Sequence, residues 1–275
     1  MSAVVTGLWT YPVKSCAGVV LAEAELTWAG LAHDRTFMVT GPDGVFRSQR
    51  RDPRLAGITP RISADGTQLS LQAPGAGVLD VEVDLTTGGR PVELFGDPYR
   101  GIDQGETVAR WLTGVLGQPS RLVRVPPDHD RVAAGWTPGP SGYADGNAVH
   151  LISQASLAGL NGRIDGPAVP MSRFRPNIVI DGWDDPHRED QARRVTIGDS
   201  ELGFAEVAIR CAVTLVDQGD GTRAGPEPIR TLASYRRAAA GGVAFGSKFS
   251  VLRLGKLAVG DGLTVTEWGP PEPGP

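Results

Sequence analysis

The sequence predicts a mainly β (α+β) protein, a small barrel or sandwich with a few helices, and three observations carry that expectation. Short β-branched and aromatic runs recur through residues 1–100 with no long helical pattern between them, which argues against alternating βαβ units. Gly-containing turn signals such as Pro42-Asp43-Gly44 and Asp65-Gly66 stand between those runs. Gly (37) and Pro (22) make 59 of 275 residues. That is below the roughly 25–30% that marks low-complexity disorder, so the punctuation reads as turns in a globular chain.

Taken in order, residues 4–11 form a β-branched and aromatic strand that stops at Pro12, which cannot donate to a ladder. Strands over 19–27 and 35–40 follow, and the turn at 41–44 leads into 45–48. A hairpin at Asp65-Gly66 joins 57–63 to 67–72, and further strands fit 78–84 and 91–95. One helix is well marked. Asp103 occupies the N-cap position, Glu106 completes a capping box, Val108, Trp111, Leu112, Val115 and Leu116 recur at helical spacing, and Gly117 ends it. Residues 126–146, rich in Pro, Gly and Asp, read as an irregular, lid-like loop. Ser153 is the N-cap candidate of a second helix running through Leu157 and Leu160 to Gly162. Strands fit 177–181, 194–197, 200–209, 212–217, 249–254 and 263–268, with helix over 228–239 and a disordered tail over 270–275. A strand-only half gives way to a mixed half near residues 95–120.

Charge and cysteine content exclude several functions. With 27 Lys plus Arg against 31 Asp plus Glu, the net charge is −4, the wrong sign for a phosphate-neutralising partner, so no nucleic acid is expected. Two cysteines, Cys16 and Cys211, make neither a disulfide framework nor an all-cysteine zinc site. No apolar run approaches the roughly 18–20 residues that span a bilayer, and residues 1–11 lack a cleavable-signal pattern. The expectation is therefore a cytoplasmic protein with reduced thiols and no membrane partner.

Four local patterns bear on chemistry. Cys211 follows Arg210 at a strand end. There a guanidinium favours a thiolate serving as nucleophile or soft-metal ligand, although local sequence alone favours a buried structural thiol. Tyr11-Pro12-Val13-Lys14-Ser15-Cys16 ends a strand with a cation, a hydroxyl and a thiol, an order that suits anion binding or a plain exposed turn. In Arg173-Phe174-Arg175-Pro176-Asn177 two arginines stand two apart, so on extended chain they share one face. They either clamp an oxyanion or guard a sheet edge. In His33-Asp34-Arg35 adjacent residues point to opposite faces of a strand, which argues against a His–Asp pair. His129, His150 and His187 show no metal spacing, and Asp145 and His150 are the only guesses for a general acid. The inventory is one soft ligand, one Lys–Ser pair and several arginines suited to a polyanion.

In order, these segments resemble the MOSC family of molybdenum-cofactor proteins, in particular the amidoxime-reducing components and the bacterial YcbX-type proteins. The resemblance rests on Leu8-Trp9-Thr10-Tyr11-Pro12-Val13-Lys14-Ser15-Cys16, His33-Asp34-Arg35-Thr36-Phe37-Met38-Val39 and Gln49-Arg50-Arg51-Asp52-Pro53-Arg54-Leu55 in the first half. It continues in Tyr143-Ala144-Asp145-Gly146, Leu151-Ile152-Ser153-Gln154-Ala155-Ser156-Leu157, Arg173-Phe174-Arg175-Pro176-Asn177-Ile178-Val179, Arg210-Cys211-Ala212-Val213-Thr214-Leu215-Val216-Asp217 and Val259-Gly260-Asp261. It implies an N-terminal β-barrel-like domain over 1–118, a MOSC β-barrel over 119–268 and a tail over 269–275.

It further implies a bound molybdenum cofactor (Mo-molybdopterin), with Cys211 as the metal's thiolate ligand and catalytic residue. Lys14, Ser15 and Arg35 match residues that contact the pterin and its phosphate, and Arg175 and Asn177 match the cofactor-binding arginine and asparagine. Arg210 matches the residue before the ligand, and Asp145, Gly146 and Asn147 match a loop that holds the cofactor largely through backbone groups. The implied activity is reduction of N-hydroxylated substrates, hydroxylamines and amidoximes among them, with electrons from a separate ferredoxin, flavodoxin or cytochrome b5-type protein. The alternative is a non-catalytic carrier of molybdenum cofactor or sulfur, and the family also carries an association with pyridoxal phosphate binding. Two departures stand out. Ile209 replaces the usual small or polar residue before Arg210, and the chain shows no cysteine cluster of an appended iron–sulfur domain.

Overall fold

The computed structural model describes residues 3–239 and 241–271, so residues 272–275 of the expected tail lie outside the described residues. Its centre is a closed seven-strand barrel. The order is Ile178–Asp181, Val149–Ser153, Val243–Arg253, Ser200–Arg210, Ala192–Ile197, Gly262–Trp268 and Ala3–Thr10, and the last pairs back onto the first. The chain's first strand therefore belongs to the barrel built by its second half. Val5 faces Ile180, while Ala3 faces Leu263.

Alternation explains the barrel interior. Ala3 and Val5 point inward and Val4 and Thr6 outward, until a bulge at Gly7 changes the phase and turns Leu8 into the core. Gly7 is required there, because a Cβ would fall 2.2 Å from the Trp9 ring. Leu151, Ile178, Ile180, Val195, Ile197, Phe204, Phe249 and Leu263 fill the same core. Aliphatic and aromatic side chains of this size each contribute about 1.5–3 kcal/mol when fully buried.

Smaller sheets carry the first half. One runs Arg90–Leu94, Asp97–Asp103, Arg121–Arg124, Phe37–Thr40, Val13–Lys14, and another runs Thr59–Ile62, Gln68–Ala73, Gly77–Glu82. Helix α1 (Glu106–Leu116) lays Val108, Leu112 and Leu116 over a core shared with Phe37, Val39, Leu69 and Leu71. Helices α2 (Gln154–Asn161) and α3 (Ile229–Tyr235) flank the barrel.

Most expected elements are present, and the differences have physical reasons. Asp103 ends a strand rather than capping α1. Its carboxylate pairs with Arg90 and Arg121, while Gly105, at φ 92°, takes the N-cap position. Gly117 ends α1 in the left-handed conformation, and the Ser153 hydroxyl caps α2 by accepting from Ser156 N at 3.1 Å, both as expected. Residues 212–217 are not a strand; Ala212–Leu215 is a 3₁₀ turn. Residues 126–146 are pinned rather than lid-like. A short hairpin pairs Val132–Ala133 with Gly139–Pro140, Arg131 donates to the carbonyls of Gly142 and Ala144, and Tyr143 is fully buried.

Candidate functional site

One cavity gathers most of the charged residues singled out from sequence. Lys14, Ser15, Arg35, Asp145, Asn147, Arg175, Asn177, Arg210 and Cys211 line it, with His150, Phe174, Ile209 and Lys248 among the others. The cavity encloses about 90 Å³ and is open to solvent, with long cationic side chains along its wall. Three lining residues adopt left-handed backbone: Ser15 (φ 68°), Arg35 (φ 49°) and Arg175 (φ 56°). Such conformations cost non-glycine residues about 1–3 kcal/mol each and gather where geometry serves a ligand.

The arginines are held from below by Tyr11. Its ring centroid lies 4.5 Å from the Arg35 guanidinium and 4.2 Å from that of Arg175, and its hydroxyl donates to Pro176 O at 3.1 Å. Burial pushes the Tyr11 phenol up to about 12 against the pull of the two cations, so it stays neutral. Arg35 spends its terminal nitrogens on the protein. Nη1 donates to Asp34 at 2.5 Å and to Asn177 Oδ1 at 3.1 Å, and Nη2 donates to Arg175 O at 3.2 Å. Asn177 is likewise consumed: Oδ1 also accepts from His150 N, and Nδ2 donates to Trp9 O. Both residues therefore knot three segments together beneath the cavity. Arg175 and Arg210 differ. Arg175 Nη2 and Arg210 Nε are buried without a hydrogen-bond partner, and so is Asn147 Oδ1. Burying such groups unpaired costs about 1–3 kcal/mol, more when charged.

At the mouth, Lys14 Nζ pairs with Asp145 and lies 4.8 Å from the Phe95 ring centroid. Burial lowers the Lys14 pKa despite that carboxylate. Asp145 leaves 58% of its side chain exposed. What burial it has raises its pKa, yet Lys14, Lys248 and Arg35 together hold it well below the usual carboxylate range. Lys248 also donates to Asp145 O and pairs with Glu206 at 2.9 Å. Gly146, at φ 113°, sits behind them; a Cβ would meet Lys248 Nζ at 2.8 Å and Glu206 Oε1 at 2.9 Å. The backbone carbonyls of this loop are thus taken up by the protein, Gly146 O accepting from Ser141 Oγ.

Cys211 caps the 3₁₀ turn, its carbonyl accepting from Thr214 N and Oγ1 at 3.1 and 3.0 Å. Its neighbour Arg210 donates to Phe174 O at 2.8 Å. Ile209 is 39% exposed and packs against Gly242 at the cavity edge. His150 is kept neutral by burial and then by Arg210, Lys248 and Arg35, with Nε2 facing Phe245 O at 3.4 Å. No hydrogen bond to the Cys211 sulfur occurs among the described residues. The arrangement can present a thiol beside a cation-lined, anion-accepting cavity.

One sequence expectation is corrected. Arg173 and Arg175 do not share a face; Arg173 turns away to donate to Thr214 O and Glu227 O. Cys16 does not line the cavity. It is 1% exposed in the core of the first half, and burial pushes its thiol up to about 12. Sequence reading missed Asp34, which pairs with its neighbour Arg35, and Tyr11, Gln49, Phe174, Gln218 and Lys248, whose roles arise mainly from contacts distant in the chain.

Residues 2–119 match the model of the MOSC N-terminal beta barrel domain, and residues 138–264 match that of the MOSC domain. The chain is 36% identical over 279 residues to mitochondrial amidoxime reducing component 2 of Rattus norvegicus, covering 94% of this chain and 81% of that protein. It is 37% identical over 247 residues to mitochondrial amidoxime-reducing component 1 of Homo sapiens, covering 85% and 72%. The chain belongs to the MOSC family. A third relative, molybdenum cofactor sulfurase of Danio rerio, is 32% identical over 89% of this MOSC protein but only 31% of its own length. No helix among the described residues of the MOSC protein is long and apolar enough to cross a membrane.

Proposed function

We propose that this MOSC protein is a molybdenum-cofactor-dependent reductase of N-hydroxylated compounds, hydroxylamines and amidoximes among them, drawing electrons from a separate electron-transfer protein. One observation carries the reading. Cys211 shares a cavity with the unpartnered Arg175 Nη2 and Arg210 Nε. A soft sulfur donor beside guanidiniums with free N–H groups is the donor set that suits a thiolate-ligated metal on a phosphate-bearing pterin. The unpartnered Asn147 Oδ1 adds an acceptor for a ring N–H.

When bound, the cofactor supplies the redox and oxygen-accepting chemistry. In this reading Cys211 ligates the metal, Arg175, Arg210, Lys14 and Ser15 hold the anionic parts, and Asn147 reads the ring. Arg35 and Asn177 orient that set from beneath, with Asp34 holding Arg35. Asp145, kept ionised by its cations, accepts hydrogen bonds rather than donating a proton near neutral pH. His150 Nε2, facing a carbonyl, carries the ring hydrogen and leaves Nδ1 as an acceptor.

The test is molybdenum per chain, by elemental analysis, for wild type and Cys211→Ala made in a host that synthesises the cofactor. Turnover of an aromatic amidoxime with a chemical reductant follows. Near-stoichiometric metal lost in the variant, with turnover in the wild type, is the expected result. Metal without turnover favours a carrier. No metal in either sinks both.

A further inference from the structure

Gln49 and Gln218 are 169 residues apart and meet as a reciprocal amide pair beneath the cavity. Gln49 Nε2 donates to Gln218 Oε1 at 3.2 Å, and Gln218 Nε2 donates back to Gln49 Oε1 at 3.0 Å. Each has one further duty on its own side. Gln49 Nε2 donates to Ser15 O at 2.7 Å, and Gln218 Nε2 donates to Val216 O at 3.0 Å. The remaining capacity of Gln218 Oε1 accepts from Arg175 Nη1 at 2.9 Å. Gln49 is fully buried although it sits on a turn, where long polar side chains are normally solvated.

The pair therefore touches two of the three cavity residues with left-handed backbone, Ser15 through its carbonyl and Arg175 through its guanidinium. Arg175 is fixed on two sides, by the Tyr11 ring and by Gln218. That leaves Nη2, buried and unpartnered, and Nε without a hydrogen bond among the described residues. A guanidinium tethered at one terminal nitrogen by a neutral acceptor keeps its full charge for the ligand, whereas a carboxylate tether would offset it. Arg35 has such a carboxylate partner in Asp34.

We propose that Gln218, braced by Gln49, is the positioning residue that aims the Arg175 guanidinium at the anionic part of the bound group, and that the pair couples this aim to the Ser15 turn. The inference rests on the anion-binding reading of the cavity. Gln218→Met and Gln49→Met keep length and bulk while removing the amide, so each reads the same lock if the other fails to fold.

The measurements are molybdenum content per chain after desalting, pyrophosphate binding to cofactor-free protein by calorimetry, and the thermal midpoint. Each variant is made in the wild-type and in the Arg175→Ala background. Loss of the tether is expected to weaken pyrophosphate binding about tenfold, the factor of one charge-assisted hydrogen bond, and to lower molybdenum retention. In the Arg175→Ala background Gln218→Met should not weaken binding further, since its effect runs through that side chain. An equal additional loss there, or full binding in both glutamine variants, overturns the positioning role while leaving the cofactor reading intact. A wild type that takes up no molybdenum but shows the expected pyrophosphate pattern leaves the lock standing and removes the cofactor reading. A wild type that binds neither overturns both.

Discussion

Two guanidiniums stacked on one phenol make Tyr11 the residue on which the cation set depends, and its two functions separate by substitution. Tyr11→Phe keeps the ring and loses only the bond to Pro176 O. Stability should fall by about 1 kcal/mol in urea unfolding, with molybdenum retention unchanged. Tyr11→Leu removes the ring face from both arginines, and pyrophosphate affinity should drop about tenfold, since each cation–π contact is worth about 0.5–2 kcal/mol. Gly146→Ala places a methyl against Lys248 and Glu206 and should destabilise by about 1–3 kcal/mol. Lys14, Arg175 and Cys211 were legible because their chemistry is local: a charge or a thiol at a strand end. Tyr11 and Gln218 were not. An aromatic residue before a proline and a glutamine in a Gly-Asp turn carry no pattern, and the partners that join them to the cavity lie 24 to more than 160 residues away.

At the level of elements, the approach to α1 shows how a correct motif can hold the wrong residue. Asp103 and Glu106 have capping-box spacing, yet two arginines claim the Asp103 carboxylate and a glycine takes the cap. Asn caps a helix as well as Asp does, so a capping role would leave Asp103→Asn neutral. The ion-pair role makes the substitution cost about 1 kcal/mol in chemical denaturation, with much of the difference lost in 1 M salt. The turn over Ala212–Leu215 escaped notice because its β-branched residues read as strand. What decides it is the Thr214 hydroxyl bonding back to Cys211 O, a local bond that competes with a ladder. The barrel strands were legible from alternation. The closure of Ala3–Thr10 onto Ile178–Asp181 was not, since periodicity fixes a strand's faces and leaves its partner open.

For the whole molecule, acid response is set by buried groups of opposite sign. His187 sits at φ 64° against Tyr235 and Phe245. Burial, then Arg236 and Arg163, take its pKa down to about 3. The native state refuses a proton that the unfolded chain accepts below about pH 6.5, so this contribution is lost as pH falls through that window. Glu189 works the other way. Burial and then Asp190 raise it to about 7, so the native state keeps a proton that the unfolded chain releases above about pH 4.5, and stability from this group grows on acidification. His187→Asn, which tolerates left-handed backbone, should make the fall in unfolding free energy between pH 6.5 and 5 shallower, by at most about 1.4 kcal/mol per pH unit. Glu189→Gln should steepen it, and equal slopes in all three proteins would refute the assignment.

The barrel has a temporal consequence as well. Ala3–Thr10 is inserted between Ile178–Asp181 and Gly262–Trp268, so although Leu8–Thr10 can pair at once with Val19–Leu21, its two barrel neighbours are made much later in synthesis. During that interval its apolar row is a bare sheet edge, a surface for capture by a chaperone or by another nascent chain. A circular permutant that begins ahead of Val149–Ser153 would make the seven barrel strands in succession and shorten the exposure.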